Sequence, residues 1–140
     1  MSCVFCEIVA GREPASFVHR DAEAVAFMNI REINEGHTLV VPTRHAASLA
    51  DLDAPSAAAM WSLALRVAAA LRRSHVRCDG VNLLLSDGAV AGQDVFHTHL
   101  HVVPRWPGDG FGFRLPSRHD APLPREQLDE TAARIEKVFH

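Results

Sequence analysis

The chain has 140 residues, 48% hydrophobic and 22% charged, enough for one globular domain with a real core and too apolar for a disordered segment. A formal net charge of -3 argues against a nucleic-acid-binding surface. The densest basic cluster, Arg66, Arg72, Arg73 and Arg77, falls around the end of a predicted helix, where cations complement the helix dipole, and no aromatics interleave with it to stack bases.

The N-terminus has no basic start and soon meets Glu7, so no targeting segment is expected. The most apolar window, residues 57–71, is interrupted by Ser62 and Arg66 and reads as too short and too polar to span a bilayer. The expectation is a soluble, cytoplasmic protein with no membrane partner. Three cysteines, an odd number, read as thiols or metal ligands rather than a disulfide framework. Cys78 reads as a small packing residue. Cys3 and Cys6 form a Cys-x-x-Cys pair, which places two sulfurs on one side of a turn where they can share a tetrahedral metal. A redox dithiol is the rival, but nothing around the pair resembles a βαβ unit. Phe5 and Ile8 read as apolar wall.

Gly11 to Pro14 ends a first short helix. Residues 15–20 and 24–29 alternate as strands, with a turn at Asp21-Ala22-Glu23, so a hairpin is expected. Residues 37–41 form a third strand stopped by Pro42, with Gly36 permitting a tight entry. His45 follows in a loop and by itself reads as a surface residue. Asp53 and Pro55 mark a helix start, and Met60, Leu63, Val67 and Leu71 recur at spacings of three or four, which predicts an amphipathic helix over 55–74 packed on a sheet. Residues 81–85 are a fourth strand, nearly all apolar and therefore expected to be central. A turn-rich loop, 106–113, leads toward a final helix over 125–139, with Leu128, Ala132, Ile135 and Val138 or Phe139 on one face. No repeat or linker divides the chain, which reads as a single domain, 1–140.

Residues 95–105 carry three of the nine histidines, His97, His99 and His101, at alternate positions, with Thr98, Leu100, Val102 and Val103 as β-branched or aliphatic bulk. In a strand such residues share one face, ~6.6 Å apart, and Leu100 and Val102 turn into the core. The bland alternative is a polar, solvated face. Three imidazoles together lower one another's tendency to protonate and leave unprotonated nitrogens for nucleophilic attack, base catalysis or metal binding. The preceding loop, 86–94, holds Gly88 and Gly92, whose backbone could come close to an anion; Gly92 is followed by Gln93-Asp94, so this is no nucleotide P-loop.

His97-Thr98-His99-Leu100-His101-Val102-Val103 resembles the His-x-His-x-His-x-x signature of the histidine triad nucleotide hydrolases and transferases. Further similarity appears in the same order: Cys3-Val4-Phe5-Cys6-Glu7-Ile8, Phe27-Met28-Asn29-Ile30, Gly36-His37-Thr38-Leu39-Val40-Val41-Pro42, Ala91-Gly92-Gln93 and Pro104-Arg105. It runs from Cys3 to about Phe113. The resemblance implies an α+β fold with a five-stranded antiparallel sheet, one long and one C-terminal helix, and a homodimer whose sheets join edge to edge. It implies a purine nucleotide substrate, an adenosine or guanosine monophosphate derivative, attacked at the α-phosphorus by His99 to leave a nucleoside monophosphate on histidine that water then releases.

By the same resemblance, His101 and Gln93 would donate hydrogen bonds at the reacting phosphate, with backbone N–H groups near Gln93 and Asp94, the Gly92 turn and Ser86 beside them. Phe5, Ile8, Phe27 and Ile30 would wall the nucleoside pocket, Asn29 would reach the ribose, and His37 would lie near the phosphate side. Members with Cys-x-x-Cys imply a structural zinc on Cys3, Cys6, His45 and His97, with His97 orienting rather than reacting, and no organic cofactor. Ser86 stands where several members have Asn and Asp94 where some have Ser; a carboxylate there should repel phosphate unless paired, so Asp94→Ser is expected to alter leaving-group preference or rate. Two competing readings are a metallohydrolase with the three histidines as an open zinc or iron site, and a nucleotide-binding module without turnover.

Overall fold

The computed structural model describes residues 3–140; Met1 and Ser2, the start of the N-terminus read above as lacking a targeting segment, lie outside the described residues. The elements are α1 (Val4–Val9), β1 (Phe17–Arg20), β2 (Ala24–Met28), β3 (Thr38–Pro42), α2 (Ala54–Arg73), β4 (Gly80–Leu84), β5 (Leu100–Arg105) and α3 (Arg125–Glu136). They fall into two compact units, one ending at Gly110 and one spanning Phe111–His140.

The first unit holds one five-stranded sheet in the order β1-β2-β3-β5-β4, antiparallel at every pairing, as the α+β expectation required. The period of two along each strand sorts side chains onto its faces. Ala24, Ala26, Val40, Leu100 and Val102 meet Met60, Leu63, Ala64, Val67 and Leu71 of α2. Val25, Phe27, Leu39 and Val41 point the other way and meet Phe5 and Ile8 of α1. Each fully buried large side chain contributes about 1.5–3 kcal/mol, so these two layers hold the unit together. His101 alternates with Leu100 and Val102 and pairs across to Leu39, which puts it on the α1 face.

The long helix starts where its capping residue predicts, the Asp53 carboxylate accepting the Ser56 N–H at 2.7 Å. By length and composition alone the full 20-residue α2, longer than the 57–71 window, is apolar enough to cross a bilayer. Its buried stripe is spent on the sheet, the use a core helix makes of such a face.

The fourth strand is not central. Among the described residues β4 pairs only with β5 and forms one edge of the sheet. All five of its residues are half-buried, because α2 covers one face while no further strand flanks it. Apolar content on both faces therefore marked an edge that needs cover, not an interior position.

In the second unit a 3-10 turn, Ser117–Asp120, precedes α3, which ends three residues before the predicted Phe139. Leu128, Ile135, Val138 and Phe139 are exposed.

Gly36 enters β3 with φ +95°, and a Cβ there would lie 2.9 Å from Val76 Cγ1, 3.0 Å from Leu71 Cδ2 and 3.3 Å from Pro104 Cγ. Gly36→Ala should therefore lower stability by about 2–3 kcal/mol in urea titrations. Gly80→Ala, where a Cβ meets nothing within 4 Å, should be neutral or stabilise by up to about 1 kcal/mol. Equal midpoints for the two variants would show that the turn accommodates the methyl group.

Candidate active site

The histidine segment is not one strand. β5 starts at Leu100, and His97 and His99 lie in the bent stretch before it, leaving His101 alone of the three in the ladder. The bend has a tertiary cause. The Thr98 N–H and hydroxyl both donate to the Ala46 carbonyl, at 2.7 and 2.8 Å, and His97 Nε2–H donates to the Pro42 carbonyl at 2.8 Å. The segment is thus tied to the turn after β3 in place of a ladder. The rings of His99 and His101 still sit side by side, with centroids 5.0 Å apart.

Hydrogen-bond partners assign the tautomers. His99 Nδ1–H donates to the His97 carbonyl at 2.7 Å, so its Nε2 carries the lone pair, and this nitrogen lies 3.8 Å from Asp94 Oδ1. The Ile33 N–H donates to His37 Nδ1 at 3.0 Å, so His37 carries its proton on Nε2 and donates it to His101 Nδ1 at 2.9 Å. His101 in turn holds its own proton on Nε2. Burial, with a smaller contribution from His101, pushes His37 down to about 4. Burial also lowers His101, helped by His99 and opposed by Asp94, and it lowers His97 against the opposing bond to Pro42. All three rings therefore favour the neutral form.

A cavity of about 550 Å³ opens beside these rings. Of the residues expected there, Phe5, Ile8, Phe27, Asn29, Ile30, Asp94, His99 and His101 line it. Ile30 is 97% exposed, so it stands at the rim and is not a wall. His37 does not line the cavity and reaches it only through His101. Ser86 and Gly92 are absent from the lining; Ser86 packs behind Gly92.

Gln93 is not placed as a donor to the cavity. Its amide is spent inside the loop, giving hydrogen bonds to the Ala47 and Val95 carbonyls at 2.9 and 3.1 Å and accepting the Gly88 N–H at 2.8 Å. Its own N–H goes to the Gly88 carbonyl at 3.1 Å. Gln93 holds the loop's shape. Sequence reasoning also missed Leu39, Glu13 and Arg31 in the lining. Leu39 could have been found, since it alternates with Val41 in β3; Glu13 and Arg31 lie in irregular turns with no periodic signal.

A second cluster lies beside the cavity. Ligand atoms of Cys3, Cys6, His45 and His97 all lie within 4.8 Å of one another. His97 Nδ1, left with the lone pair by the bond to Pro42, is 3.5 Å from each sulfur and 3.3 Å from His45 Nδ1, which is 3.3 Å from Cys6 Sγ. Tetrahedral zinc, with Zn–N of ~2.0–2.1 Å and Zn–S of ~2.3 Å, spaces its ligands ~3.3–3.6 Å apart in N···N and N···S pairs. The donor set fits such an ion. Burial first, then the Cys3 thiol and the Glu7 carboxylate, push the Cys6 thiol up to about 11, so its thiolate needs a cation nearby. Among the described residues the three triad histidines form no such group, which leaves the open three-histidine metal site without its geometry.

The family model for the HIT domain matches residues 10–108. The chain belongs to the HIT family. Protein hit of Bacillus subtilis is 35% identical to it over 137 residues, covering 97% of this chain and 93% of that one. The crystal structure of a HIT family protein from Bacillus anthracis superposes with a TM-score of 0.88 at 34% identity, covering 98% of this chain and 96% of that one. The crystal structure of a Zn-bound histidine triad family protein from Mycobacterium smegmatis is 44% identical, with a TM-score of 0.77 and coverage of 86% and 87%. In this HIT protein geometry thus splits the triad: His97 faces the cysteines, and His99 and His101 face the cavity.

Long-range proton–nitrogen NMR spectra at neutral pH should show His99 protonated on Nδ1, and His37 and His101 on Nε2. His37 should titrate near 4. Its folded value lies below the unfolded one, so its contribution to stability is complete above about pH 6.5 and is lost as pH falls toward 4, about 3 kcal/mol in all. His37→Phe should flatten that part of the pH–stability curve and leave His101 with mixed tautomers. A His101 protonated on Nδ1 in the wild-type protein would overturn the assignment.

Proposed function

We propose that this HIT protein hydrolyses, or transfers, the nucleoside monophosphate group of nucleotide phosphoramidates and dinucleoside polyphosphates through a covalent adduct on His99. The observation that carries this reading is the His99 ring, held by its Nδ1–H so that the lone pair on Nε2 faces the cavity beside His101 Nε2–H. The electron pair on Nε2 forms the N–P bond while the bond from phosphorus to the leaving group breaks. The released pair stays on the leaving atom, which accepts a hydrogen bond from His101 and takes a proton from solvent. Water then attacks phosphorus, the N–P bond returns its pair to Nε2, and the surplus proton goes to solvent. One hard displacement becomes two easier ones.

Phe5, Ile8 and Phe27 would hold the purine. Asn29, whose Oδ1 is taken by the Arg31 N–H at 2.9 Å, would offer its amide N–H to the ribose. Zinc, when bound by Cys3, Cys6, His45 and His97, would supply a closed structural anchor. The zinc-bound relative supports that reading. A homodimer joined along β4 is part of the same proposal, supported by the edge position of that strand and by the exposed Trp61, which shares a groove with Leu83 of β4.

Mass spectrometry of protein quenched during turnover of a nucleoside phosphoramidate should find a nucleoside monophosphate on His99, and His99→Ala should lose both adduct and at least about 10³-fold in rate. Turnover by His99→Ala at the wild-type rate would end the proposal, and nucleotide binding without any adduct would favour a module without turnover. Native mass spectrometry at neutral pH should give two chains with two zinc ions. Chelation should lower Tm while leaving turnover at 25 °C largely intact; immediate loss of turnover in folded protein would favour a catalytic metal, and a single-chain mass would remove the dimer.

A further inference from the structure

One charged group at the site has no part in the steps above. Asp94 lines the cavity with His99 and His101, its side chain is 82% exposed, and its Oδ1 lies 3.8 Å from the nitrogen that carries the lone pair. Glu13 and Arg31 are the other ionisable residues in the lining, and neither is paired with His99. A carboxylate in that position accepts hydrogen bonds and donates none. It repels added negative charge, and it favours a group that carries hydrogen on nitrogen.

The two leaving-group classes differ in just these respects. In a phosphoramidate the atom that departs from phosphorus is a nitrogen bearing hydrogen, and the amine it becomes is neutral or cationic. In a dinucleoside polyphosphate the departing atom is a bridging oxygen with lone pairs only, followed by further anionic phosphates. The α-phosphate is common to both, so its repulsion from Asp94 cancels in the comparison. What remains is the leaving group.

We propose that Asp94 is a specificity-determining residue that selects N–P substrates over P–O–P substrates, accepting the N–H of the departing nitrogen and repelling a departing polyphosphate. This rests on the histidyl-adduct reading. The bond-making is unchanged: His99 Nε2 joins phosphorus, the P–N bond breaks with its pair going to nitrogen, and the nitrogen takes a proton from solvent. Asp94 accepts one N–H of that nitrogen throughout and gives up no proton. Because the carboxylate is exposed, its effect on charged leaving groups is long-range, partly screened and therefore sensitive to salt.

The test compares kcat/KM for an AMP phosphoramidate of an alkylamine with that for diadenosine tetraphosphate, in wild type, Asp94→Asn and Asp94→Ser. The wild type should prefer the phosphoramidate, and both variants should lower the ratio roughly ten- to hundredfold, the polyphosphate gaining and the phosphoramidate losing. Raising salt from about 50 to about 500 mM should shrink the wild-type ratio and leave that of the variants nearly constant. A ratio that stays the same, with both substrates moving by one factor or not at all, overturns the role given to Asp94. Quenched samples separate the two failures: an adduct on His99 with an unmoved ratio sinks only the selectivity, while no adduct with either substrate in the wild type sinks the reaction itself.

Discussion

The bond from His97 Nε2–H to the Pro42 carbonyl, 2.8 Å long and fully buried, is the constraint on which the rest of the site depends. It joins the last residue of β3 to the bent segment ahead of β5. Together with the two Thr98 bonds to Ala46, it stops the ladder at Leu100. It also sets which nitrogen of His97 is left over, and that nitrogen faces two sulfurs and another imidazole. The His97 carbonyl, placed by the same bend, then orients His99. One hydrogen bond thus governs the orientation of two imidazoles and the end of a strand.

The same logic runs through every ring at the site. Each of these four imidazoles spends a nitrogen on a fixed partner: His97 on Pro42, His99 on the His97 carbonyl, His101 on His37, and His37 on the Ile33 amide. Burial keeps His37, His97 and His101 from charging, so the remaining nitrogen is defined by what the first one does. A row of identical side chains becomes three different chemical groups without any change of residue type. This is the physical content of the triad in this HIT protein.

The cysteine cluster and the cavity share a wall. Phe5 sits between Cys3 and Cys6 in sequence, and its ring lies edge-on to His97, His99 and Phe27 at centroid distances of 5.9, 5.1 and 5.4 Å. The residue between the two sulfurs is thus a wall of the cavity and the flank of His99. Only six residues long and without a side-chain cap, α1 gains its place from Phe5 and Ile8 against the sheet and from the cluster at its start.

Much of this was legible in the order of residues. Spacings of three and four in α2 and alternation in β2 and β3 are local regularities that backbone geometry converts directly into faces, the Cys-x-x-Cys and His-x-His-x-His patterns mark which residues carry the chemistry, and the family resemblance points to Cys3, Cys6, His45 and His97 as one set. What it left open depends on partners far along the chain. The bend at His97 needs carbonyls of Pro42 and Ala46, more than fifty residues away; β4 is an edge because of which strand failed to flank it; and Gln93 serves its own loop because Gly88 and Ala47 reach its amide first. Periodicity reports which side of an element is apolar. Hydrogen bonds between distant segments decide which nitrogen, which edge and which end of a strand is left for chemistry, and only the folded chain contains them.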